Sequence, residues 1–337
     1  MEAIELTLHT LTPIWTGGIE AGKMDRLHET SLIGSLRWWY GMIKQGQGEK
    51  ICDPTQQPCQ LSGSNLETFE RERQAGKSVE EALTEATICP VCQLFGCTGW
   101  KRQFQLTLQK DSTRPGWSTL AILNIRPPDR SRGWFLPAGR VGSLSYRLHG
   151  PQANTILNLL HSLAEWGTIG AKPQLGYGRF RLETATAPTA KLPQPTDFGF
   201  FSFRFMPPKP NWWLSLPGIE RLLGSNGPEL SQLAANKMLP LTPILKNAWR
   251  YKHWQGAPKS QAQLFGTLAY ERIRSKVAVS WAYFEAEEWE MRGWVWLPPG
   301  LNAGNLLALL ANQELWQTTL GLSNGGNLTL SGNLAKP

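Results

Sequence analysis

No stretch of the 337 residues approaches the eighteen or so uninterrupted apolar residues of a membrane span, so the sequence predicts no transmembrane helix. The opening Met-Glu-Ala-Ile-Glu has neither the basic start nor the apolar core of a secretory signal, which predicts a cytoplasmic protein. Cysteine is scarce, with five residues. In a reducing compartment that argues against a disulfide framework and leaves a metal site or free thiols. Charged residues make up 18% against 41% hydrophobic, a balance that excludes a disordered chain. No Walker-type phosphate loop and no Ser–His–Asp pattern is present.

What the chain does have is positive charge and tryptophan. Its formal charge is +8, and the basic residues cluster. Residues 101–181 hold twelve Lys and Arg against Asp111, Asp129 and Glu165, and residues 237–276 hold eight against Glu271 alone. Such clustering predicts a surface for a polyanion, although an ordinary basic surface reads the same way. The sixteen tryptophans supply faces that stack unpaired bases when interleaved with Arg, and many of them must instead fill cores or subunit contacts.

Periodicity predicts an α+β protein in two halves, since 337 residues exceed what one core usually serves. Residues 4–10 alternate apolar and polar as a half-buried strand and lead into the turn TPIWTGG at residues 12–18. Ser31 is placed to cap a helix over residues 31–44, in which Leu32, Ile33, Leu36, Trp39, Tyr40 and Ile43 form one apolar stripe. Residues 46–88 break the periodicity and read as an insertion with two cysteines and a short charged helix. Strands are predicted at residues 104–108 and 120–125, a second amphipathic helix at residues 154–166 stopping at Gly167, and a strand near residues 179–184. Strand, helix, strand, strand, helix, strand is the ferredoxin-like order. A Pro/Thr/Ala-rich linker at residues 185–196 divides the chain into residues 1–190 and 191–337. The second half repeats the plan loosely. It has a strand at 198–205, a helix at 245–254, a strand pair at 272–284 and 288–298, and a last helix at 305–315. TPIW at Thr12 against TPIL at Thr242, and LFG at Leu94 against LFG at Leu264, add a faint internal echo.

Several residues carry candidate chemistry. Cys89 and Cys92, with Pro90 between them, have the spacing of a zinc knuckle, and Cys52 and Cys59 in the same insertion complete a four-thiolate set. The insertion has little apolar content to fold around, so a structural zinc would explain its stability; reduced, unliganded thiols are the alternative. Cys97 reads as a small residue at a turn. Gly167, Gly170, Gly176 and Gly178 stand with Lys172, Tyr177 and Arg179 in a loop open to two equal readings. In one, backbone N–H groups, Lys172 and Arg179 hold a phosphate while Tyr177 stacks a base. In the other, the glycines only supply the positive φ of a structural turn. Arg37 and Lys44 on the first helix are rim residues with stems on the core, or RNA contacts. Arg126, Arg130 and Arg132 before Trp134 make a basic loop tipped by an aromatic, or a solvated loop. His149 and His161 precede the Gly-rich loop, where a general base for RNA cleavage would stand, but His161 falls on the polar face of its helix.

Taken in order, TPIWTGG, TSLIGSLRWWYGMI, CPVCQLFGCTG and GTIGAKPQLGYGRF resemble the RAMP superfamily of CRISPR proteins, most of all the family of first-numbered Cmr subunits of type III-B effector complexes. That family opens with a strand, a TP…GG turn and a helix with a Gly-x-Leu-Arg-x-Trp core. Gly34, Leu36, Arg37 and Trp38 or Trp39 stand at those places, and LFG follows at residues 94–96. The likeness covers most of residues 1–185; beyond, only LFG and RIRSKVAV are similar. It departs at His28-Glu29, where members carry Arg-Pro. The resemblance implies two tandem ferredoxin-like (RRM-like) domains and a place toward the 3′ end of a guide RNA. It implies crRNA, target RNA and other RAMP subunits as partners. It also raises Arg37 and the Gly-rich loop as RNA contacts, and likens the loop at residues 126–135 to hairpins that wedge between guide and target. Related backbone subunits cut target RNA with an Asp between first strand and first helix, where Asp25 lies, but this subunit class is not the slicer. The expected function is therefore a non-enzymatic, RNA-binding structural subunit. Alternatives are a guide-processing, metal-independent endoribonuclease on the same fold and a protein–protein adaptor with an incidental basic patch. Neither a membrane nor a small-molecule substrate is expected.

Overall fold

The computed structural model describes residues 3–20, 24–117, 123–125, 133–216, 229–267, 271–322 and 325–335. Strands β1 (Ile4–Thr10), β2 (Gln105–Asp111), β3 (Ser143–His149) and β4 (Phe180–Thr184) form an antiparallel sheet in the order β2-β3-β1-β4. Between β1 and β2 run α1 (Glu29–Gly46) and three shorter helices, α2 (Ser64–Gln74), α3 (Val79–Glu85) and α4 (Pro90–Phe95). Helix α5 (Ala153–Trp166) lies between β3 and β4. The two-residue period sorts the sheet's side chains. Leu6, Leu8, Leu106, Leu144, Tyr146 and Leu148 join the apolar stripes of α1 and α5 in one core. On the opposite face Glu5 pairs with Arg147 (2.7 Å), Thr7 with Ser145 (3.2 Å) and His9 with Glu183 (2.7 Å).

The third strand of this sheet is not the segment at residues 120–125. Residues 143–149 (SLSYRLH) alternate cleanly and carry it. Leu123–Ile125 instead pairs with Trp134–Leu136 in a separate ribbon, whose Leu123, Ile125 and Leu136 pack into the core of the second half. Helix α1 starts behind His28 rather than Ser31, and no side chain caps it. Residues 46–88 are tied down by Leu61, Leu83, Ala86 and Ile88, which reach the first core, while α2 adds only the partly buried Phe69.

The second sheet holds β5 (Phe198–Phe205), β6 (Met238–Leu239), β7 (Val277–Val279), β8 (Ala282–Glu285), β9 (Glu288–Trp296) and β10 (Asn327–Gly332). Its order is β6-β8-β9-β5-β10, with β7 also paired to β9, and every pairing is antiparallel. Helices α6 (Thr242–Asn247) and α7 (Pro258–Phe265) precede β7, and α8 (Gly304–Ala311) and α9 (Gln313–Thr319) precede β10. Strand β5 reads FGFFSFRF because both its faces are covered. Phe198 and Phe200 meet Trp39 (5.5 Å between rings) and Trp166 (4.9 Å) of the first half. Phe201 and Phe203 meet Trp316 of α9 (5.7 and 5.2 Å). The two sheets are thus layers on either side of α1 and α5.

The helix expected at residues 245–254 begins at Thr242 and ends in a π-helical turn, Ala248–Lys252. The helix expected at 305–315 is two helices, because the Asn312 side chain accepts the Leu315 N–H (3.0 Å) and starts α9 afresh. The linker is pinned to α5, where Asn158 holds the Thr189 N–H (2.9 Å) and Ser162 the Leu192 N–H (3.3 Å).

Candidate functional site

Of the residues singled out in the sequence, the four cysteines are the set the fold brings together. Pro90 at the first helical position starts α4 directly after Cys89, so Cys89 and Cys92 lie one turn apart on one side. The loop before α2 delivers Cys52 and Cys59. All four sulfurs lie within 4.8 Å of one another, with Cys52 at 3.4 Å from Cys92 and 3.7 Å from Cys89. A disulfide would bring sulfurs to about 2.05 Å, and these thiols are free. A tetrahedron with metal–sulfur bonds of about 2.3 Å has edges of roughly 3.8 Å, close to the Cys52–Cys89 separation of 3.7 Å.

Two N–H donors point at the sulfurs. Arg37 donates from Nη2 to Cys92 Sγ (3.0 Å) and from Nη1 to the Gly96 carbonyl (2.9 Å), and the Cys89 N–H points at Cys59 Sγ (3.4 Å). Hydrogen bonding from Cys92, helped by Cys52, lowers the Cys89 thiol. Cys92, keeping that proton, is raised, and burial pushes Cys59 up to about 11. Neighbouring thiolates repel, so without a cation the four cannot all ionise; a divalent ion would let each release its proton. Cys97, raised chiefly by burial, stands outside the set.

The Gly-rich loop is a seam between the two halves. Gly176 has φ +94°, and a Cβ there would meet Trp281 Cδ1 at 2.3 Å. The Gly176 carbonyl accepts the Trp281 N–H (3.2 Å), and the Leu175 carbonyl accepts Trp281 Nε1–H (2.8 Å). Gly170 and Gly178 also have positive φ, and their absent Cβ atoms would sit 2.7 Å from the Trp15 carbonyl and 2.1 Å from that of Ile169. The glycines therefore admit protein backbone, as the structural-turn reading requires.

Its side chains turn inward too. Tyr177 is fully buried and donates to the Pro137 carbonyl, so it has no face for a base. Arg179 is 2% exposed. Its guanidinium caps the end of α5 by donating to the carbonyls of Leu163, Ala164 and Gly167. Lys172 is half-buried with Nζ 4.3 Å above the Trp15 ring, and burial lowers its pKa. Beneath the seam, Lys246 is 2% exposed and donates to the carbonyls of Gln174 (3.1 Å) and Val277 (3.0 Å) and to Ser275 Oγ (3.2 Å). The expected cradle of glycines and arginines is thus not assembled: Arg37 serves the cysteines, Arg179 serves α5, and Lys172 covers Trp15.

Lys44 remains at the surface in the last turn of α1, 5.8 Å above the Tyr40 ring. Arg126, Arg130 and Arg132 lie outside the described residues. Exposed positive charge gathers instead around α7, where Lys252, Lys259, Arg272 and Arg274 are exposed. Beside them the π-helical turn presents Tyr251, 43% exposed, and such turns recur at functional sites. Asp25 accepts from His28 (2.8 Å), which holds its carboxyl below the usual range. His149 is half-buried on β3, and His161 is half-buried on α5.

The sequence profile of the RAMP superfamily matches residues 7–181. No curated protein matches the chain. Among solved structures it is similar to the crystal structure of Cmr1 from Pyrococcus furiosus in its apo form, at 10% identity and a TM-score of 0.43 over 98% of each chain. It is also similar to a chain of a Type IV-B CRISPR Complex, at 18% identity and a TM-score of 0.32, over 58% of this chain and 96% of that one.

Proposed function

The chain belongs to the RAMP superfamily, and from that membership we propose that it is a non-catalytic, RNA-holding subunit of a CRISPR effector complex. The order of its motifs supports a type III-B (Cmr) complex, a place toward the 3′ end of the guide, and other RAMP subunits as neighbours in the cytoplasm. We read the two sheets as tandem ferredoxin-like domains divided near residue 190. What supports this is that β2-β3-β1-β4 and β8-β9-β5-β10 follow one order, with helices in both crossovers. Cys52, Cys59, Cys89 and Cys92 would hold a structural zinc that braces the insertion.

The match over residues 7–181 carries the reading. The exposed basic side chains around α7, with Tyr251 among them, supply a surface on which phosphates are met by charge and a base by an aromatic face. Such a surface reads backbone rather than sequence. Fluorescence anisotropy with single-stranded RNA of two unrelated sequences, titrated with salt, tests it. The expected result is similar affinity for both and a slope of log K against log salt of about −3 or steeper, at roughly 0.7 per phosphate contact. A salt-independent affinity defeats the RNA reading in favour of the adaptor. Defined products from repeat RNA incubated in EDTA defeat the non-catalytic reading.

A further inference from the structure

A cleft of about 330 Å³ opens where the end of α5, strand β4, the linker and the β8–β9 hairpin converge. Arg179, Arg181, Lys191, Arg292 and His161 line it, together with the carboxylates of Glu165 and Glu285. These side chains come from segments up to 131 residues apart (161 to 292), and buried Glu290 already holds Arg292 (2.5 Å) beneath them. Arg181 is only loosely tied, 3.9 Å from Glu285, and Lys191 pairs with Glu165 at the surface (2.7 Å). Pairs as exposed as these are weak and readily exchanged for a better anion. Deeper in, two nitrogen atoms are buried without any partner among the described residues: Nε of Arg179 and Nε2 of His161. Buried polar atoms left unmet are uncommon, and these two belong to side chains that line the cleft.

We propose that this cleft binds a phosphate group of single-stranded RNA. Arg181 and Lys191 meet its charged oxygens at the mouth, above a floor that Arg179 and His161 help to form. Arginine's planar fork suits phosphate oxygens, and the linker, held on α5 by Asn158 and Ser162, keeps Lys191 at the rim. The assignment rests on the RNA-holding reading above and places one contact of that RNA at the junction of the halves, away from α7.

The test is the Arg181→Ala/Lys191→Ala double variant. Both side chains are more than half exposed (56% and 73%), so the fold should persist. Anisotropy with single-stranded RNA should show the salt slope of the wild type reduced by about 1.4, the loss of two contacts at roughly 0.7 each. In parallel, inorganic phosphate at fixed ionic strength should raise the Tm of the wild type and not that of the variant. Wild-type RNA binding with an unchanged slope in the variant overturns the cleft while leaving the RNA-holding reading intact. A phosphate-dependent Tm rise in a protein that binds no RNA overturns the RNA assignment, and marks a site for free phosphate only.

Discussion

Lys246 shows how burial changes a residue that the sequence presents as one more surface cation. It lies between the halves with no carboxylate among its hydrogen-bond partners, and removal from water brings its pKa from 10.5 down to about 7. The folded chain therefore releases this proton at lower pH than the unfolded chain does. Between about pH 7 and 10.5 the unfolded state binds more protons, so this residue makes stability rise with pH across that window, by roughly 1.4 kcal/mol per unit at most. Urea unfolding at pH 6.5, 7.5, 8.5 and 9.5 should show this rise, and Lys246→Met should remove it. An identical pH profile in the variant would mean that Lys246 is hydrated. Burial likewise separates the two readings that the sequence leaves open for Arg179 and Tyr177, which are 2% and 0% exposed. Gly-x-Gly-Arg reads identically whether the arginine faces an RNA or the carbonyl end of a helix.

Among the elements, the cysteine set was legible because its signals are local. The Cys89–Cys92 spacing and the charged α2 need no distant partner to be recognised, and Pro90 starts α4 by its own geometry. The LFG echo is real at this scale: α4 and α7 each open with Pro and end on Gly, at φ 86°, ψ 158° and φ 81°, ψ 162°. The TPIW and TPIL echo is not, since Thr12 lies in the turn after β1 and Thr242 opens α6. If the four thiolates brace the insertion, the purified protein should contain about one zinc per chain. Cys89→Ser/Cys92→Ser should abolish it, and limited proteolysis should then cut within residues 47–88 many times faster. Elemental analysis and mapping of the cut sites check both. A metal-free wild type with the insertion equally protected would remove zinc from the account. The third strand was missed for a different reason: residues 120–125 and 143–149 are both apolar enough for strands, and the ladder to β1 chose between them.

At the scale of the whole molecule, the seam around residues 167–179 joins the two cores. Gly176 is the tightest point, with positive φ and Trp281 where a Cβ would go. Gly176→Ala should cost more than about 2 kcal/mol through strain and displacement of Trp281. A matched Gly34→Ala on α1, where a Cβ meets nothing within 4 Å, should be neutral or slightly stabilising. Chemical denaturation of the two variants decides it, and equal midpoints would show that the seam yields.

Sequence by itself placed most of the helices and strands, the cysteine set and the family, because periodicity and short motifs act over a few neighbouring residues. The tertiary structure alone decided which basic residues stay in water and which serve the fold. Burial is a property of contacts such as Gln174 with Lys246 or Gly176 with Trp281, and no local pattern encodes a meeting between residues so far apart along the chain.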